Sequence, residues 1–279
     1  MGIESKNFSL DVDLLAYSGI VFSPEQRAAL QTSMVILKEQ YRFKSIHLWG
    51  KILGISDDYF IVQGRSKNEL TERQFLYSKD CINWSMLTAA TDEAKELSPM
   101  CQGRFTGDAS HEFEVKKFTV TNEGTEEENI DEEKARLREE ERLAAVLWQI
   151  EQDSLIIPRG SYVLQPNGDV ERNRTFEGLT ATEAGKLTNY FHFREPIQLQ
   201  QKSLLYRASL DKSIQFLDTV DEDIPKGSWS VQYERGTGLI QIRSLKWLGM
   251  SFFHIPETNR YGSLYYGIGE ENKDLPFMI

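Results

Sequence analysis

The sequence predicts an α+β protein, with antiparallel sheets and packed helices. Three observations carry that prediction. A capped amphipathic helix stands near the start, strand-like runs pair across short turns in the first half, and four more such runs follow one another in the last fifty residues or so.

The helix is read in "FSPEQRAALQTSMVILKEQY". Ser23 is a good N-cap, Pro24 suits the first helical position, and Gln26 completes a capping box. Leu30, Met34, Leu37 and Tyr41 recur at helical spacing and make one apolar face. Strand patterns come next. "SIHLWGKILGI" and "YFIVQGR" flank the turn "SDD" and read as a hairpin. "RQFLYSKDCINWSML" reads as a second, turning at Ser78, Lys79 and Asp80. Trp49, Tyr59, Phe60, Phe75, Tyr77 and Trp84 are expected to fill one sheet face. "TDEAKEL" fits a short helix, and "HEFEVKKFTV" alternates like a further strand.

An acidic run follows. From Thr121 to Arg142 there are ten acids against four bases, a net charge of −6 in a chain whose total is −11. "TNEGTEEEN" is expected to be a solvated connection. "DEEKARLREEERLAAVLWQIEQD" is expected to be one long helix, solvated early and docked late through Leu143, Val146, Leu147 and Ile150. Its acids crowd the N-terminal side, where the helix dipole favours them.

The second half repeats the grammar. "SYVLQPNGDVER" is a hairpin turning at Asn167 and Gly168. "GLTATEAGKLTNYFHF" is a helix with Thr180 as N-cap and Glu183 completing the box. "LQQKSLLYRASLDKSIQFLDTV" reads as loop and helix. "GSWSVQYE", "GLIQIRSL", "MSFFHIP" and "SLYYGIG" read as a four-stranded meander. The organisation expected is a helix-plus-sheet unit over 1–120, an acidic loop and long helix over 121–153, and a second helix-plus-sheet unit over 154–279.

Composition excludes several function classes. A net charge of −11 and a pI near 5.0 argue against a nucleic-acid partner, which demands a basic face. No apolar run approaches the roughly 20 residues of a membrane span, so no membrane partner is expected. The N-terminus lacks the basic start and clean apolar block of a secretory signal. "MGIESK" carries Lys where a myristoylation site prefers Ser or Thr. Two cysteines, Cys81 and Cys101, are too few for a disulfide framework and suit a reduced, intracellular chain. The sequons at Asn7, Asn83 and Asn173 are then chance matches.

Catalytic chemistry finds little footing. His47, His111, His192 and His254 do not pair with cysteine or with one another at metal-ligand spacing. The Gly-x-Gly of "YGIGEEN" leads to acids that repel phosphate, and that of "RGTGLIQ" leads into a strand. No Gly-x-Ser-x-Gly elbow is present. No catalytic, cofactor-binding or metal-binding residue is assigned.

The aromatic density of the C-terminal meander is the positive signal. Phe252 and Phe253 are adjacent on one strand and must face opposite ways, as must Tyr265 and Tyr266. One sheet face cannot hide them all. Either a helix of this chain covers the other face or another chain does, and aromatic residues are enriched where chains meet. The apolar tail from Leu275 to Ile279 also asks for a docking place, since chain ends are normally solvated. Trp247, Phe252, Phe253, Tyr265, Tyr266, Pro276 and Phe277 are therefore the candidate partner-interface residues. The residues alone fit a soluble α+β adaptor that binds other proteins.

Longer stretches carry a resemblance. "EEKARLREEERLAAVLWQIEQD", "NYFHFREPIQLQQKSLL", "FLDTVDEDIPKGSWSVQYERG" and "IRSLKWLGMSFFHIPETNRYGSLYYGIGEENKDLPFMI" resemble the radial spoke head protein 9 family, as do "FSPEQRAALQTSM" and "LWGKILGISDDYFI" in the first half. The resemblance covers essentially the whole chain. It implies a non-catalytic subunit in the head of the T-shaped radial spoke of the ciliary and flagellar axoneme. The spoke projects from the outer doublets toward the central pair, and its head transmits mechanical signals that regulate dynein-driven bending. The implied partners are the paralogous spoke head proteins four and six, further head subunits, and transiently the central-pair projections, in a large complex for which two-fold symmetry is the commonest closed arrangement. No cofactor is implied.

Overall fold

The computed structural model of the chain describes residues 2–101, 103–121 and 129–278. In chain order its strands and helices begin with β1 (Ile3–Glu4), α1 (Phe8–Leu14), α2 (Pro24–Gln40), β2 (Ser45–Ile52), β3 (Tyr59–Arg65), β4 (Arg73–Ser78), β5 (Ser85–Met86) and α3 (Asp92–Leu97). The middle of the chain supplies β6 (Glu112–Thr121), β7 (Asn129–Arg138), α4 (Glu139–Ser154), β8 (Ile156–Pro158), β9 (Tyr162–Leu164), β10 (Val170–Arg172), α5 (Ala181–Ala184), β11 (Tyr190–His192), α6 (Gln198–Gln201) and α7 (Leu204–Ser209). The end of the chain forms β12 (Trp229–Tyr233), β13 (Ile240–Ser244), β14 (Met250–His254), β15 (Tyr261–Gly267) and α8 (Leu275–Met278).

Helix α2 starts where its cap directs. The Gln26 amide N–H bonds to Ser23 Oγ at 3.2 Å, and the Ser23 N–H reaches Gln26 Oε1 at 3.1 Å. Leu30, Met34 and Leu37 are buried, as the period requires, with Tyr41 half-buried beside them. The two meanders also form with the expected strands. They do not remain in two units, however. The strand order is β12-β13-β14-β15-β2-β3-β4-β5, with β1 added along β2, so both ends of the chain build one nine-stranded sheet. The seam is the parallel pairing of β15 with β2, Tyr265 opposite Gly50 and Gly267 opposite Ile52.

At the seam β2 is buried along nearly its whole length, as befits a central strand covered on both faces. The register of β2 against β3 shifts between Leu48 and Gly50. Gly50 takes φ 153°, and a Cβ there would stand 2.1 Å from the Tyr265 carbonyl oxygen. Only glycine permits that approach.

Both faces are covered by this chain. On one, Ile46, Leu48, Phe60, Val62, Phe253 and Leu264 meet Phe8, Val12, Leu15, Leu30, Met34 and Leu37 from α1, α2 and their connections. On the other, Trp49, Tyr59, Ile61, Phe252 and Tyr265 meet Leu143, Leu147 and Ile150 of α4, together with Tyr162, Tyr190 and Phe193 from the following strands and loops. The aromatic residues expected on one face of the first-half strands are thus divided. Trp49, Tyr59, Phe75 and Tyr77 lie with the α4 layer, while Phe60 and Trp84 lie with the α2 layer.

The connecting region differs from its expected form. Residues 129–138 do not begin a long helix: β7 pairs antiparallel with β6, from Glu112 opposite Arg138 to Thr121 opposite Asn129. Helix α4 starts only at Glu139. The cause is tertiary pairing, which buries Leu137 with Val115, Ala94, Leu97 and Ala145 and overrides a helical local preference. The expected solvated connection, 121–129, lies largely outside the described residues. The helix expected after Thr180 is one turn, α5, before the chain extends into β11. Helix α1 was not signalled by any cap, although Phe8, Val12 and Leu15 have helical spacing. No helix among the described residues is long and apolar enough to cross a membrane.

Candidate partner interface

The seven candidate residues separate by position. Phe252 and Phe253 alternate across β14, and each finds a layer of its own chain. Phe252 packs edge-on against Tyr190 with ring centroids 5.6 Å apart. Tyr265 lies 5.3 Å from the Trp49 ring and accepts the Gly269 N–H on its hydroxyl oxygen at 2.9 Å. Burial pushes its phenol up to about 12. Trp247 is buried, and its indole N–H donates to Asp153 Oδ2 at 2.9 Å. These four rings are core. Of the two coverings open to the aromatic strands, the structure uses elements of this chain. Tyr266 is half-buried, its ring edge-on to Phe22 and beneath the Lys51 ammonium.

Pro276 and Phe277 are different. The tail is fixed at its base, where Asn272 N donates to Lys246 O at 2.8 Å and Asn272 Nδ2 to Leu245 O at 2.9 Å. Lys246 bridges Asp153 at 2.9 Å and Glu271 at 3.5 Å. Leu275 is buried, so the final helical turn is pinned at one point and turns its other side chains out. Phe277 is 88% exposed, with Met278 and Leu248 also exposed. A cavity of about 660 Å³ opens beside this tail, lined by Met100, Val146, Trp247 and Leu248 among others.

A second exposed apolar group lies in the region read only as loop and helix. Leu204 and Leu205 lead α7 into solvent, Leu205 at 86% exposure, with Ile197 and Tyr206 also exposed. The backbone beneath them is held firmly. The buried Asp218 carboxylate accepts the N–H groups of Ile197, Gln198 and Leu199 at 2.8, 3.2 and 2.8 Å. An open groove of about 540 Å³ runs alongside, lined by Leu164, Leu199, Leu204, Leu210 and Phe216. The paired leucines of "KSLLYRASL" were the available signal: two adjacent large apolar residues on one short helical turn cannot both face inward.

Buried ionisable groups hold the layers together. Glu139, at the first position of α4, is fully buried and accepts from Tyr59 Oη and Gly107 N at 2.8 Å, and from Thr106 N and Oγ1 at 2.8 and 2.7 Å. Arg65 and Arg73 stand opposite each other on β3 and β4. Gln63 bonds both Arg65 and Glu151, Arg73 Nη1 pairs with Glu151 Oε2 at 3.2 Å, and Arg65 Nη1 reaches Tyr162 Oη at 3.3 Å. Both guanidiniums lie over the Phe193 ring. Burial pushes the Cys81 thiol up to about 12 and raises that of Cys101, so neither is primed as a nucleophile. No group of three or more His, Cys, Asp or Glu side chains among the described residues is placed to hold a metal ion. The arrangement is one of positioned exposed apolar residues on a tied framework.

The chain is similar to known proteins along its whole length. A family model described as "Radial spokehead-like protein" matches residues 3–99. The radial spoke head protein 9 homologs of Bos taurus and Homo sapiens are each 46% identical to this chain over 279 residues, covering 99% of it and all of each relative. The homolog of Xenopus tropicalis is 41% identical over 280 residues with the same coverage. The match spans the length of the chain, and the chain belongs to the radial spoke head protein 9 family.

Proposed function

We propose that this protein is a non-catalytic structural subunit of the radial spoke head in the axoneme of motile cilia and flagella. There it scaffolds the head and relays mechanical signals between the central pair and the dynein arms on the doublets. The observation that carries this reading is identity of 46% over the entire length of relatives named as radial spoke head proteins. The proposed partners are the paralogous spoke head proteins four and six, with further head subunits, and transiently the central-pair projections. Neither nucleic acid nor membrane is among them.

The structure supports a wide, long-lived contact. Such interfaces bury on the order of 2,000 Å² or more and are anchored by large apolar side chains. Pro276 and Phe277 are the candidates that offer accessible area, with Tyr266 at the margin. Leu204 and Leu205 extend the proposal to a second patch. Trp247, Phe252, Phe253 and Tyr265 support the contact from beneath by holding the strands that position it.

The test is expression of tagged protein in ciliated cells that lack their own copy. The wild-type chain should localise along axonemes and recover a paralogous spoke head subunit on extraction. Phe277→Ser should lower that recovery without unfolding the protein. Diffuse signal with no axonemal enrichment would reject the reading and favour an adaptor working elsewhere in the cytoplasm.

A further inference from the structure

The nine-stranded sheet has two ends, and they are finished differently. At one end β5 is only two residues long, which leaves little edge to extend. At the other, β12 runs for five residues in unbroken register with β13, from Trp229 opposite Ser244 to Tyr233 opposite Ile240. Glu234 N donates to Leu239 O at 2.8 Å, and Leu245 N to Ser228 O at 2.8 Å. Antiparallel bonding alternates along a strand. Residues 228, 230, 232 and 234 therefore bond inward, and Trp229, Val231 and Tyr233 point their N–H and C=O groups out of the sheet. None of those three bonds another backbone group outside the ladder among the described residues.

Natural sheets protect such edges with lysine, proline, bulges or inward charges. "WSVQY" has none of these. Its outward-bonding residues instead carry the aromatic layer to the rim, from the nearly buried Trp229 through the half-buried Val231 to Tyr233 at 53% exposure. Asp223 Oδ2 accepts the Trp229 indole N–H at 2.8 Å, and the neighbouring Ile224 is 90% exposed. The rim is an open ladder with an apolar shoulder.

We propose that β12 pairs antiparallel with β12 of a second copy of this chain about a two-fold axis at Val231, joining two sheets into one. The strand is complementary to itself in that register. Trp229 falls opposite Tyr233 of the second copy and Val231 opposite Val231, so each outward-bonding residue meets another and exchanges both hydrogen bonds. Ser230 falls opposite Gln232, which leaves polar pairs on one face and apolar pairs on the other. Just outside the strand, Glu234 lies diagonal to Lys226 of the second copy, and no two like charges are placed directly across. The self-complementary pattern is what favours a second copy over an unrelated strand.

Sedimentation velocity and light scattering of the isolated full chain test this directly. A concentration-dependent dimer is expected. Val231→Pro removes an outward N–H without touching the ladder to β13, and Tyr233→Lys installs the missing guard. Each should weaken association at least tenfold, while Tyr233→Lys leaves thermal unfolding unchanged at concentrations where the chain is monomeric. Amide exchange adds a second readout: the N–H groups of residues 229, 231 and 233 should slow on dimerisation, while those of 230 and 232 are slow throughout. A wild-type chain that stays monomeric at all concentrations overturns the proposal, as does a dimer that survives both variants. So does edge protection that arises only when a different chain is supplied. None of these outcomes bears on the spoke head assignment, which localisation and co-purification test separately.

Discussion

The two faces of the sheet are held by different chemistry. Toward α2, β2, β3 and β4 present Ile46, Leu48, Phe60, Val62 and Leu76, and the helices answer with Leu30, Met34 and Leu37. Toward α4 the same β3 presents Gln63 and Arg65 among its rings, and the answer includes Glu151, Tyr162 and Phe193. The first contact is mainly apolar and tolerates repacking, with Gln241 Nε2 donating to Leu14 O and Arg260 to Asp11 among its few directional bonds. The second needs each donor opposite its acceptor, since a buried charge without its partner costs several kcal/mol. The α2 layer therefore supplies adhesion. The α4 layer, brought from the middle of the chain, is located by hydrogen bonds that only one placement satisfies.

The largest effect is expected where both faces share a strand. Gly50→Ala puts a methyl group against the Tyr265 carbonyl and must part the seam between the two meanders. A loss of about 4 kcal/mol or more is expected, from strain at a glycine-only position and from broken pairing. Denaturant unfolding measures it, and a loss below about 1 kcal/mol would show that the strands part and reclose without cost.

Shape-preserving changes on each face sharpen the contrast. Glu151→Gln keeps volume but leaves Arg73 without its carboxylate partner and disturbs the link through Gln63 to Arg65, at an expected cost of about 3 kcal/mol. Met34→Leu, equally conservative and equally buried on the other face, should cost less than about 1.5 kcal/mol. Equal costs would erase the distinction between the faces.

A smaller effect is read in pH. His254 faces the α4 layer among the rings of Tyr190, Phe176 and Tyr261, and burial pushes it down to about 4 from an ordinary value of 6.5. Above pH 6.5 the ring is neutral in both folded and unfolded chains and its full contribution is present. As pH falls from 6.5 toward 4, the unfolded chain takes up a proton that the folded chain refuses. Stability then drops by up to about 1.4 kcal/mol per pH unit. His47, buried on the same sheet with its value lowered for the same leading reason, adds to the slope. His254→Gln should flatten the dependence over that range, whereas Met34→Leu should leave it unchanged. Urea midpoints at several pH values decide the matter.

Much of this was legible from residues. The Ser23–Gln26 box, the apolar period of α2, the Asn167–Gly168 turn and all four strands of the last meander are local patterns, and each forms as written. The seam was not legible, because a parallel pairing between residues 50 and 265 leaves no local mark beyond the unbroken burial of β2. Residues 131–138 form a strand in place of the expected helix start because charged residues along a strand and along a solvated helix use the same residue types. Only the β6 partner decides between them. Arg65, Glu139 and Glu151 are buried by tertiary placement, while their residue types favour solvent. The rings near the C-terminus are covered by this chain itself, by α4 and the strands after it on one face and by α1 and α2 on the other, with Phe277 and the α7 leucines among the apolar side chains left exposed.

Amide hydrogen exchange across β14 and β15, compared between the isolated chain and the assembled spoke head, shows whether this chain seals its own core. Because the rings of Phe252, Phe253 and Tyr265 are sealed by the chain's own layers, these amides should exchange equally slowly in both states. New protection on assembly should be confined to exposed segments such as the tail and α7. Fast exchange through β14 and β15 in the isolated chain, slowed only when partners bind, would contradict the account.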